Sequence, residues 1–68
     1  MELTIEYDQE EDGWWLAEVI ELPGVLAYGN SVREAQAKAK ALALYVVADR
    51  LEHAGTAPDF MTITFAAA

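Results

Sequence analysis

The sequence contains no cysteine. That excludes disulfides, thiolate metal ligands and a cysteine nucleophile. With only 68 residues, the chain buries a smaller share of its surface than a larger domain would. Without covalent staples, the usual remaining route to stability is association with other chains. Basic residues are scarce: four Lys and Arg stand against twelve Asp and Glu, giving a net charge of −8. So acidic a surface repels phosphate backbones, and direct nucleic-acid binding is not expected. The four glycines are scattered, each at a turn, so no loop can cradle phosphate. No apolar run approaches the roughly 20 residues of a membrane span. The start, Met-Glu-Leu-Thr-Ile-Glu, has neither the basic region nor the apolar core of a secretory signal. These absences lead us to expect a cytoplasmic protein of one domain, residues 1–68. With 54% hydrophobic residues, it is too apolar for a disordered tail.

What is present falls into a clear order. Leu3, Ile5 and Tyr7 alternate with Glu2, Thr4 and Glu6, the period of a strand with one buried face. Asp8 to Gly13 is a polar connection closing on Asp-Gly, a turn signal. Trp14 to Ile20 reads as a second strand, pairing with the first as an antiparallel hairpin. Its two faces, Trp15, Ala17, Val19 and Trp14, Leu16, Glu18, Ile20, are both weakly polar, so both are candidates for burial. Pro23-Gly24 suits the centre of a type II turn, with Leu22 tucked beneath the sheet edge. Val25 to Tyr28 is a short third strand. Gly29 releases the chain, and Asn30 or Ser31 caps a helix. Ser31 with Glu34 three residues later matches a capping box. The helix runs to His53 or Ala54, with Gly55 as C-cap. A loop over Thr56–Asp59 contains Pro58. Phe60 to Phe65 alternates as a last strand, and Ala66–Ala68 is expected to fray. The fold class is therefore α+β, β-β-β-α-β, with a mainly antiparallel sheet and one long helix on one face.

The helix carries two apolar stripes. At about 100° per residue, Ala35, Ala39, Leu42 and Val46 lie close together and are expected to face the sheet. Ala37, Ala41, Leu44, Ala48 and Leu51 form a second stripe nearly opposite, with Tyr45 and Val47 on the flanks. One sheet cannot cover both. Scattered exposed alanines would be unremarkable in a soluble protein. Leu44, Tyr45, Ala48 and Leu51 together make a contiguous patch of the kind that marks an interface. The expected oligomer interface is therefore Ala37, Ala41, Leu44, Tyr45, Ala48 and Leu51. Its simplest cover is the same helix of a second subunit, giving a homo-oligomer.

Catalytic chemistry has little support. Ser31 is accounted for as a cap. The lone His53 lies near the helix C-terminus, where its cation suits the helix dipole. Asp8, Glu10, Glu11 and Asp12 lack the spaced, Gly-centred pattern of a calcium loop. No enzyme activity, metal or other cofactor is expected. Binding is the better reading. Eight acidic residues from Glu2 to Glu21 precede the first basic one, and all four Lys and Arg fall in the helical stretch. Such a surface suits a basic partner. Trp14 and Trp15, as strand neighbours, project to opposite faces. Trp15 belongs to the core. Trp14 is either covered by an oligomer contact or a hot spot for a partner. The expected partner-binding residues are Glu10, Glu11, Asp12, Trp14, Glu18 and Glu21.

These residues also carry a family likeness. The stretch from Asp8 to Val46 has an acid-rich turn ending in Asp12-Gly13, an aromatic strand at Trp15, and the turn Glu21-Leu22-Pro23-Gly24. It continues through a short strand ending at Gly29, the cap Asn30-Ser31, and then Glu34-Ala35. In this linked order it resembles the N-terminal domain of HicB-type antitoxins. Ile20 stands where that family usually has Pro, and Val25 where Cys is frequent. The resemblance implies a partial ribonuclease H-like fold, oligomerisation, and a role without catalysis: neutralising a small basic HicA-type toxin that cleaves messenger RNA. Many such antitoxins add a C-terminal DNA-binding domain, and this sequence is expected to act without one. The alternative is an orphan homo-oligomer with no toxin. A third reading, a metal-dependent nuclease surviving from the fold's relatives, has no catalytic constellation behind it.

Overall fold

A computed structural model of the chain describes residues 1–54 and 62–68. Among these residues, four strands and one helix occur in the order β1 (Glu2–Gln9), β2 (Trp15–Val19), β3 (Leu26–Gly29), α1 (Val32–Ala54) and β4 (Thr64–Ala67). The fold is α+β, as the sequence patterning implies. The sheet order is β3-β2-β1-β4. β1, β2 and β3 form an antiparallel meander, and β4 joins β1 in parallel. The helix thus carries the chain from one edge of the sheet to the other.

The alternation in β1 fixes which face is buried. Leu3 and Ile5 are buried, and the register sets Ile5 opposite Val19 and Tyr7 opposite Ala17. Ala17 in turn faces Ala27, and Leu3 faces Phe65. These residues line the side covered by α1. Trp15 is half-buried against this core, and Leu22 and Val25 complete it below the Pro-Gly turn. That turn has the expected form. The Val25 N–H donates to the Leu22 carbonyl at 3.0 Å, and Gly24 takes φ +88°. Positive φ at the third residue is the mark of type II, and it favours glycine.

The helix meets the sheet along Ala35, Ala39, Ala43 and Val47, all buried. This corrects the expected stripe: Leu42 is 39% exposed, whereas Ala43 and Val47 take the core positions. The reason is steric. The i, i+4 row of alanines lets the helix backbone approach the strands closely, and a Leu fits only at the rim of such a contact. Gly29 makes the same point from the sheet. A Cβ there would collide with the backbone nitrogen of Ala35 and lie 3.0 Å from its Cα. Gly29 is thus required for close packing rather than for releasing the chain.

The N-terminus of α1 is capped by Ser31, whose Oγ accepts from the Glu34 N–H at 3.1 Å. The Glu34 carboxylate reaches back to the Asn30 N–H at 3.4 Å and also pairs with Lys38 at 3.2 Å. The reciprocal bond therefore lands one residue before the cap.

Other boundaries differ modestly. β1 continues through Asp8 and Gln9, because both pair with β2 opposite Leu16 and Trp15. β2 stops short of Trp14 and Ile20, and β3 is shifted one residue onward. Ala66 and Ala67 are not frayed but lie in β4, and the Ala68 N–H donates to the Ile5 carbonyl at 2.9 Å. Pairing with β1 holds them despite their lack of sequence pattern. The expected C-cap at Gly55, the loop around Pro58 and the strand start at Phe60 lie outside the described residues. Among the described residues, no helix is long and apolar enough to cross a membrane.

Candidate functional site: an acidic, aromatic sheet face

The face of the sheet away from α1 has a distinct chemistry. The same alternation that buries Leu3 and Ile5 puts Glu2, Thr4, Glu6 and Asp8 on this open side. Two rows cross the strands, Asp8–Leu16–Tyr28 and Glu6–Glu18–Leu26. Leu26, Tyr28 and Ile20 are exposed large apolar side chains. All four Lys and Arg belong to α1, on the far side of the sheet. The open face therefore gathers carboxylates and apolar groups with no basic residue of its own strands.

One end of this face is built by the β1–β2 hairpin. The Gly13 N–H donates to the Glu10 carbonyl at 2.9 Å, and the Glu10 N–H donates to the Trp14 carbonyl at 2.7 Å. With Gly13 at φ +93°, this is a three-residue loop closed by a glycine bulge. The Asp12 carboxylate fastens it further by accepting from the Trp14 N–H at 3.1 Å. The bulge presents Trp14, 42% exposed, beside Tyr28. Glu10, Glu11, Asp12, Trp14 and Tyr28 together line one open depression.

Four of the six residues expected to bind a partner, Glu10, Glu11, Asp12 and Trp14, are thus assembled in one place. Glu18 shares the open face, further along the strand. Glu21 lies beyond the other end of β2, about 20 Å away by strand length. Its carboxylate accepts from the Thr4 N–H and the Thr4 hydroxyl, each at 2.7 Å. Those bonds hold the Glu21 carboxyl below the ordinary glutamate range, the backbone bond contributing most. Sequence reading missed Leu16, Leu26, Tyr28, Glu6 and Asp8. Alternation places Glu6 and Asp8 opposite the core face, but only the pairing register brings Tyr28 beside Trp14.

The outer face of α1 is the second exposed surface. Ala37, Ala41, Leu44, Tyr45, Ala48 and Leu51 are all exposed, Tyr45 at 78%. Past Val47, every described side chain of the helix is exposed. Among the described residues no three carboxylates or histidines converge on a metal position. His53 Nδ1 lies 2.8 Å from the Asp49 carbonyl oxygen and 3.3 Å from its carboxylate, a local helix-end contact. Compared with protein-family models, curated proteins and solved structures, the chain matches none.

Proposed function

We propose that this chain is an antitoxin-type binding module of the HicB kind, with a partial ribonuclease H-like fold. It acts in the cytoplasm, where its target would cleave messenger RNA. The partner is a small basic HicA-type toxin whose RNA-binding surface the open sheet face covers. The chain itself is not an enzyme. The observation that supports this reading is the segregation of chemistry: carboxylates with Trp14 and Tyr28 on one face, and every Lys and Arg on the helix behind it. Such a face steers a cationic surface into place and anchors it through desolvated aromatics. The test is capture of the product of an adjoining gene encoding a small basic protein. Capture should weaken as salt rises. Retention unchanged after charge reversal at Glu10, Glu11, Asp12, Glu18 and Glu21 would contradict it.

The exposed outer stripe of the helix favours a second reading, an orphan homo-oligomer without a toxin. The two are separable, because they use opposite faces of the molecule. Failure to find any basic protein partner, with self-association intact, would select the second.

A further inference from the structure

The outer face of α1 can be taken beyond the general expectation of self-association. We infer that two copies pair through this face with their helices antiparallel, centred on Leu44, so that Lys38 of each copy lies between Asp49 and Glu52 of the other. This holds whether or not a toxin exists.

The register follows from the stripe. Superposing Leu44 on its symmetry mate sets Ala37 level with Leu51, and Ala41 within one residue of Ala48. Ala37, Ala41, Leu44, Ala48 and Leu51, all small or branched, then face one another along the seam, with the exposed Tyr45 beside it on the Lys38 flank, which lets two helices close to about 8–10 Å. In a two-fold antiparallel pair, each flank of a helix meets the same flank of its mate. On the wheel, Lys38, Asp49 and Glu52 share one flank of the outer face at about 100° per residue. The register puts Lys38 level with position 50, about 2 Å along the axis from Asp49 and about 3 Å from Glu52. Arg50 projects from the opposite side of the helix, so it does not oppose Lys38. The pair contains this cluster twice. All three side chains are exposed within one copy, and Lys38 there has Glu34 as a neighbour at 3.2 Å.

The parallel arrangement fits less well. It would bring the Lys38 flank of one helix against the flank of the other that carries Arg33 and Lys40, and it would align the two helix dipoles unfavourably. Association through the open sheet faces is opposed more strongly, since each presents carboxylates without a compensating cation. Helix pairing instead gives four layers, sheet–helix–helix–sheet, with the two acidic faces outermost. A dimer built this way is bivalent for a basic partner.

Sedimentation measures the prediction directly. The chain should sediment at twice its 7.5 kDa mass at micromolar concentration, and Leu44→Glu should yield monomers with helical circular dichroism retained. Lys38→Glu alone should weaken pairing by about tenfold, as should Asp49→Lys with Glu52→Lys. Mixed together, these two variants should form heterodimers at least as tight as the unaltered pair, because each then meets opposite charge at both clusters. These exposed substitutions leave the core untouched, so folding is checked by retained helical circular dichroism and a cooperative melt, the midpoint itself moving with the degree of pairing. A monomeric unaltered chain would overturn the inference. So would a Leu44→Glu dimer, or a mixture pairing no better than either variant alone.

Discussion

The Glu21 carboxylate accepts two hydrogen bonds from Thr4, one from its N–H and one from its hydroxyl, each at 2.7 Å. The Thr4 carbonyl, on the same side of the strand, accepts from the Ile20 N–H at 3.0 Å. A side chain thus continues the β1–β2 ladder for one step after β2 has turned away. The ionised carboxylate accepts these bonds, the one from the Thr4 N–H foremost, more strongly than the protonated acid would, so the folded state depresses the Glu21 pKa below its ordinary 4.5. A group with a depressed folded pKa contributes stability above its unfolded value, and the contribution is lost as pH falls through the folded value. Thermal melts between about pH 6 and about pH 3.5 should therefore lose more stability with acid in the unaltered chain than in Glu21→Gln. Parallel pH profiles would show that the bond contributes nothing.

Gly29→Ala should destabilise the fold by about 2–3 kcal/mol, the cost of forcing a methyl into a packed contact. The obstacle is helix backbone at Ala35, which cannot swing aside as a side chain would. Urea denaturation gives the value, and a change below about 0.5 kcal/mol would mean that strand and helix separate easily there.

Glu6 and Glu18 stand directly opposite each other on the open face. Like charges so placed are unfavourable in a sheet. Glu18→Lys should stabilise the chain by about 0.5–1 kcal/mol in low salt, with the gain shrinking as salt is added. The same change should weaken capture of a basic partner. A variant that gained stability and kept full capture would place the partner elsewhere.

Ala39→Leu and Leu42→Ser should differ sharply. Ala39 is fully buried beneath the sheet, and a larger side chain there costs about 1–3 kcal/mol. Leu42 is exposed at the rim, so Leu42→Ser should stay within about 1 kcal/mol of the unaltered chain.

That contrast also marks the limit of what the residue pattern reveals. Alternation in Leu3–Tyr7, the Pro23-Gly24 turn and the Ser31–Glu34 cap are local signals, and local geometry obeys them. The sheet-facing row of the helix is not local. Reading it from hydrophobic size favours Leu42, whereas the close approach of helix to strands selects alanines. Ala66 and Ala67 have no pattern of their own and become strand because β1 offers an unpaired edge. The candidate binding face is legible in the same proportion. The crowding of Glu10, Glu11, Asp12 and Trp14 at a hairpin tip follows from their adjacency. The contribution of Tyr28 depends on the β2–β3 register, which the residue order alone does not specify.

The central claim is a division of labour: the open acidic face takes a basic partner, and the outer helix face takes a second copy. Calorimetric titration of the adjoining gene's basic product into three chains tests it most directly. Leu44→Glu should bind with unaltered affinity per chain, whereas Trp14→Ala combined with Glu18→Lys should lose at least tenfold while keeping its dimeric mass. Binding abolished by Leu44→Glu and untouched by the open-face substitutions would contradict the assignment of both surfaces.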